Sequence, residues 1–259
     1  MNGSGRSDGV NAVRELKRDG LGRVELLADG PERRVRRVAD GGRWPGSGLV
    51  ARLLLARERR ALARIDGMSG VPQLAGESEF VRALSHDGRQ PRERDVLVRT
   101  WLDGEPLHRA EILPRDTFER LEELVRELHR RGVCHNDLHK EQNIVIGRDG
   151  WPHLIDFQLA STHSRRSRTF ESRAREDLRH VEKLRRRYLR ADGGHALKLA
   201  QTAELGAMRR SFPAWLWRKG GKPAYNFVTR RLLRTSDGEE RRPNSGPWPV
   251  WTPPTGPRE

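Results

Sequence analysis

The segment His135-Asn136-Asp137-Leu138-His139-Lys140-Glu141-Gln142-Asn143 gathers ionisable and hydrogen-bonding side chains, then runs directly into apolar Ile144-Val145-Ile146. Nineteen residues after Asp137, a second carboxylate, Asp156, stands in Leu154-Ile155-Asp156-Phe157-Gln158. Taken singly, Asp137 and Asp156 read as ordinary turn aspartates and His135 as a satisfied core histidine. In this order, with a strand, a loop and a second strand between them, they read as two carboxylates on adjacent loops. Such a pair suits phosphoryl transfer, which needs little covalent help. What it needs is alignment of a hydroxyl with a phosphate and neutralisation of charge through a metal.

The two segments resemble the protein-kinase catalytic loop and the kinase metal-binding Asp-Phe-Gly, with Gln158 in place of the glycine. The resemblance implies Asp137 as catalytic base, accepting the proton of the acceptor hydroxyl, and Asn143 and Asp156 as ligands of Mg2+. Asn143 lies six positions after Asp137, one more than in the common pattern, so Gln142 is the alternative metal ligand. The loop together with the ending Ile155-Asp156-Phe157-Gln158-Leu159-Ala160 is similar to small bacterial RIO-like and lipopolysaccharide-core-kinase-like members of the protein-kinase-like superfamily, over roughly residues 13 to 190. That resemblance implies an α+β, bilobal kinase-like fold, with a small antiparallel five-stranded N-lobe sheet and a reduced helical C-lobe. It also implies ATP near the segment Arg99 to Asp103, Val145 beneath the adenine, and His135, Phe157 and Leu62 packing between the lobes.

The elements that must hold these residues follow from periodicity. Strand-like runs Val13–Lys17, Arg23–Leu27 and Arg33–Val38 are separated by Asp19-Gly20 and Asp29-Gly30-Pro31, and another extended run covers Asp95–Trp101. Helical spacing covers Val50–Ile65, where the row Val50, Leu54, Glu58, Leu62 carries a carboxylate inside an apolar stripe. In kinases this helix carries the glutamate that pairs with a strand lysine gripping the ATP phosphates, a role that would fall to Glu58. No lysine occurs between Lys17 and Lys140. Alternation places Val35 and Arg37 on one face of the third strand, matching the adenine-contacting and phosphate-gripping positions, so Arg37 is the expected substitute. Lys17 and Lys140 are rival phosphate ligands. Gly20 and Gly22 in Asp19-Gly20-Leu21-Gly22 stand where a glycine-rich phosphate loop belongs, although a plain hairpin turn reads the same way. Farther along, Asp116 with Glu119 forms a capping box for a helix bearing Phe118, Leu121, Val125 and Leu128 and ending at Gly132. Strands are expected at Asn143–Ile146 and His153–Phe157, and helices at Glu176–Arg190 and His195–Arg210.

The chain of 259 residues with 34% hydrophobic content can bury one sizeable core. Its single cysteine, Cys134, excludes an internal disulfide. With no signal-like start and no apolar run of spanning length, a cytoplasmic location is expected, with peripheral contact at the inner face of a membrane as the further option. Expected divisions are a flexible 1–10, an N-lobe over 11–103, a C-lobe over 104–235 and a disordered Pro-rich tail over 236–259. The formal charge is +15, but it is scattered, and only six of the 51 basic residues are lysines. This weakens a nucleic-acid reading while leaving an anionic partner, RNA or an acidic membrane surface, compatible with the charge. Seven tryptophans add to the nucleic-acid reading, but Trp215 and Trp217 fall near Phe212 and suit helix packing better than base stacking. No Ala-Pro-Glu follows Gln158, which fits a RIO-like enzyme acting on a protein serine or threonine, or on a sugar hydroxyl of a membrane glycolipid. The missing strand lysine and Gln158 also admit a pseudokinase scaffold.

Overall fold

The computed structural model describes residues 12–42, 45–76, 78–110, 112–191 and 250–252. The chain divides into two compact units, one of residues 1–68 and 72–101 and one of residues 69–71 and 102–259.

In the first unit, β1 (Ala12–Asp19), β2 (Gly22–Asp29), β3 (Glu32–Val38) and β4 (Val96–Thr100) form one antiparallel sheet in the order β1-β2-β3-β4. Four strands, not five, make this sheet among the described residues. The hairpin at its start is closed by Asp19, whose Oδ1 accepts from Leu21 N (2.8 Å) and Gly22 N (3.2 Å). One face closes over Leu27, Val38, Phe80, Val96 and Val98, with Phe80 supplied by the short helix α2 (Ser78–Arg82), and also carries the buried pair Arg36 and Glu25. Helix α1 (Ser47–Arg64) begins earlier than periodicity suggests, with Ser47 Oγ accepting from Gly42 N at 2.6 Å. Its buried face runs Ala51, Leu55, Glu58, Leu62, so the apolar row is offset from the expected Val50–Leu54 one, although Glu58 lies on both.

In the second unit, helix α3 (Thr117–Arg130) buries Phe118, Leu121, Val125 and Leu128, as its amphipathic spacing requires. Its expected capping box does not form. Asp116 instead accepts from Arg120 Nε (2.6 Å), while Thr117 Oγ1 donates to Pro114 O (2.7 Å). Strands β5 (Gly104–Pro106), β8 (Ile144–Gly147) and β9 (Pro152–Leu154) form a three-stranded antiparallel sheet in the order β5-β8-β9. The predicted strand His153–Phe157 is therefore cut short: β9 ends at Leu154, and Phe157–Leu159 is a 3-10 turn. Strand β7 (Val133–Cys134) pairs with β10 (Ser161–Thr162), which brackets the segment between them. Helix α4 (Arg168–Ala191) starts eight residues before the expected Glu176 and buries Phe170, Ala174, Asp177, Val181, Leu184 and Tyr188 along one stripe. Strand β6 (Ile112–Pro114) pairs in parallel with β11 (Val250–Thr252), so three residues of the expected Pro-rich tail are hydrogen-bonded. The helix predicted at 195–210 lies outside the described residues. No helix among the described residues is long and apolar enough to cross a membrane.

Candidate active site

The loop from His135 to Asn143 leaves β7 and enters β8, and its backbone is fixed from α4. Asp177, 1% exposed, accepts from His135 N and Asn136 N with its two carboxylate oxygens, each at 2.8 Å. His129 Nε2 of α3 meets the same carboxylate at 3.2 Å. Asn136 takes a left-handed backbone (φ 65°), a conformation in which asparagine is among the better-tolerated residues, and its amide donates to Leu159 O at 2.8 Å and Ser161 Oγ at 3.1 Å. His135 turns inward, with Nε2 3.0 Å from Ile155 O and its ring 4.8 Å from that of Phe157. Farther along the loop, Tyr188 of α4 donates its hydroxyl to Glu141 at 2.7 Å, and Arg187 pairs with the same carboxylate.

This frame presents Asp137, 2% exposed. Asn143 Nδ2 donates to its Oδ2 at 3.0 Å and to its backbone oxygen at 3.1 Å. Lys140 Nζ lies 3.3 Å from the same Oδ2, and His139 Nδ1 lies 3.1 Å from Oδ1. Asp156 is placed by the next link, because Ile155 N donates to Asn143 O at 2.9 Å and brings the second loop against the first. Asp156 also has a left-handed backbone, φ 64°. Asp137, Lys140, Asn143 and the Asp156 segment are thus drawn together, and of the two amides weighed at the loop's end it is Asn143 whose side chain meets Asp137. With Nδ2 directed at Asp137, Asn143 keeps its amide oxygen to offer as a metal ligand. An amide oxygen and a carboxylate form a hard-oxygen set that fits Mg2+.

In the first unit, Glu58 is fully buried between two guanidinium groups, with Oε2 3.4 Å from Arg37 Nε and Oε1 3.4 Å from Arg99 Nε. Arg37 and Arg99 share a sheet face because Val35, two residues before Arg37, pairs across strands with Arg99. A carboxylate taken out of water needs such compensation. Val35 and Val145 are both buried, at 6% exposure, in β3 and β8. Gly22 carries a packing constraint beside its place in the turn, since a Cβ there would stand 2.0 Å from Val38 O. Gly20 lies at the turn's tip, close to Gly42, and Lys17 is exposed on β1.

Sequence reasoning missed three groups. Arg99 was read as part of an extended run and as the start of a segment expected near ATP, but not as a partner of Glu58. Arg36, wholly buried, pairs with Glu25 at 2.8 Å on the opposite sheet face, where Arg23 also reaches Glu25 at 3.2 Å. Asp177 interrupts the apolar stripe of α4 as Glu58 interrupts that of α1, and the same criterion would have found it had the helix been started at Arg168. His129, Cys134 and Asp177 bring ligand-type atoms within 4.8 Å of one another. They form a hydrogen-bonded core and not a metal centre: both Asp177 oxygens are taken by main-chain N–H groups, and burial pushes the Cys134 thiol up to about 12.

Comparison with known proteins meets this geometry on the same stretch of chain. Residues 39–165 match the phosphotransferase enzyme family. That stretch contains Glu58, Arg99, the whole Asp137 loop and Asp156. With the four-stranded sheet and the helices above, it gives the chain an α+β, protein-kinase-like fold. A probable SapB synthase of Streptomyces coelicolor is 33% identical over 135 residues, a match covering 44% of this chain and 13% of that protein's length.

Proposed function

We propose that the protein transfers the γ-phosphate of ATP to a hydroxyl acceptor, with Asp137 as the base. The observation that carries this is the fixing of the Asp137 carboxylate by Asn143 and Lys140, with the Asp156 loop tied to Asn143 through Ile155 N. Asp137 receives the proton of the attacking hydroxyl and turns it toward the phosphorus, while Lys140 and Asn143 keep the carboxylate in one orientation. Asn143 and Asp156 would hold Mg2+, whose contribution when bound is to neutralise charge on the phosphates. Arg37, seated on Glu58, is the proposed ligand of nucleotide phosphates in place of the strand lysine, and Val35, Val145, Gly20 and Gly22 are its proposed companions in nucleotide binding.

For the acceptor we favour a serine or threonine hydroxyl on a protein. Only residues 160–167 separate the 3-10 turn after Asp156 from α4, which supports a RIO-like arrangement. A sugar hydroxyl on a glycolipid is the other acceptor of the same chemistry. Incubating the full chain with labelled ATP and Mg2+ and resolving protein from lipid products separates the two. Asp137→Ala is expected to abolish incorporation into either, and label persisting at the wild-type rate would remove Asp137 as base.

A pseudokinase scaffold is favoured by one observation, that among the described residues Glu58 is paired with two arginines and with no lysine. ATP with Mg2+ that raises the melting temperature without turnover would support that reading.

A further inference from the structure

On the second unit, outside the Asp137 loop, four guanidinium groups converge. Arg126 and Arg130 of α3 and Arg166 and Arg175, before and within α4, line one cavity of about 350 Å3. Within the described lining the one carboxylate is Glu171, while Glu122 and Glu127, outside it, pair with Arg126 and Arg130. Arg126 pairs with Glu122 at 2.6 Å, and Arg166 has its charge 5.9 Å from the Phe170 ring centroid. Arg130 gives Nε to Glu127 at 2.6 Å, and among the described residues its terminal nitrogens, like the whole of Arg175, have no hydrogen-bond partner. Several cations on one cavity wall favour an anion that answers more than one of them at once. A guanidinium fork matches the oxygens of a phosphate. The remaining wall, Phe170, Ala174 and Leu178, is apolar, and the volume falls at the small end of ligand cavities.

The floor of this cavity leads to the catalytic loop. His129 lines it and meets Asp177 at 3.2 Å, and Asp177 in turn holds the His135 and Asn136 amides that precede Asp137. We propose that this cavity binds a phosphate dianion, free or as the end of a small monoester, and that its occupancy tightens the Asp137 loop through His129 and Asp177. The effector role rests on the proposed phosphotransfer, but the binding does not, and neither measurement below requires turnover.

Calorimetric titration of the full chain, without nucleotide or Mg2+ and at constant ionic strength, tests the binding with inorganic phosphate in one arm and glycerol 3-phosphate in the other. Saturable binding is expected in at least one arm, weakened about tenfold or more by Arg130→Gln or Arg175→Gln, both exposed positions, and unchanged by Asp156→Ala. Tighter binding of glycerol 3-phosphate assigns the site to a monoester, and equal binding assigns it to free phosphate. Saturating ligand is expected to slow hydrogen exchange at the His135 and Asn136 amides. Non-saturable heats, or binding indifferent to both arginine variants, would overturn the site. Unchanged exchange at the two amides in the presence of bound ligand would overturn its effector role.

Discussion

Asp177 spends both carboxylate oxygens on main-chain N–H groups of the segment that presents Asp137, so its contribution is to orientation and not to chemistry. In Asp177→Asn one of those oxygens becomes an amino group and faces an N–H donor. A buried donor left without an acceptor costs about 1–3 kcal/mol, and that much destabilisation is expected by urea unfolding. Under the proposed phosphotransfer, a displaced base slows the chemical step more than it weakens nucleotide binding, so kcat is expected to fall by about tenfold or more with KM for ATP little changed. A wild-type kcat in a destabilised variant would reduce Asp177 to a structural residue. Two buried charges of the chain differ in how legible they were. Glu58 was visible because its helix was read long enough to show the apolar stripe it breaks, and strand alternation then pointed to Arg37. Asp177 was hidden because starting the helix at Glu176 removed Phe170 and Ala174, the residues that define the stripe. The left-handed backbone of Asp156 had no sequence signal, since a positive φ at a non-glycine residue is imposed by its surroundings.

Helix α4 grips the loop from His135 to Asn143 at two places, Asp177 on its start and Tyr188 on Glu141, so the integrity of the helix from its first turn onward bears on that loop. That turn is capped by Ser167, whose Oγ accepts from Phe170 N at 3.2 Å, a signal that the charged run around it masked. Helix α3 shows the reverse, a capping signature at Asp116 and Glu119 that the chain does not use. The two positions therefore make a paired test. Ser167→Ala should lower stability to urea by about 1 kcal/mol, the usual cost of a lost N-cap. Asp116→Ala should cost only about 0.2–0.5 kcal/mol, the worth of an exposed i, i+4 pair with Arg120. Equal losses at the two sites would mean that the cap at Ser167 contributes nothing special to α4. The long elements were readable because several turns of amphipathic spacing outweigh any one cap, whereas β5, β6, β7 and β10, of two or three residues each, have too little length for a pattern.

Across the whole molecule the formal charge of +15 overstates what is offered to an anionic partner, because Arg23, Arg36 and Arg99 are buried in ion pairs with Glu25 and Glu58. The response of stability to acid is also a property of many groups together. Burial holds His153 and His163 below their ordinary value near 6.5, so the unfolded chain binds protons there more readily than the folded one. A lowered folded value means that their contribution is complete above about pH 6.5 and is lost as the pH falls through the folded values. Farther down, the hydrogen bond from Arg179 holds Glu176 far below the usual carboxylate range, and those from Arg131 and Arg130 hold Glu127 below it, so stability falls again below about pH 4.5. Asp40 opposes this trend in the carboxylate range, since burial raises it and the folded state gains a proton there first. The depressed groups, which also include Glu15 and Asp87, outnumber the raised carboxylate of Asp40 and give a net loss in acid. The urea midpoint is therefore expected to drop between pH 7.5 and 5.5, through the depressed His153 and His163, and to drop further below pH 4.5. His153→Gln, which keeps a polar side chain but cannot titrate, should flatten the upper step and leave the lower one in place. An upper step undiminished in that variant would assign it to other groups, and a midpoint rising toward pH 5.5 would contradict the burial of both imidazoles.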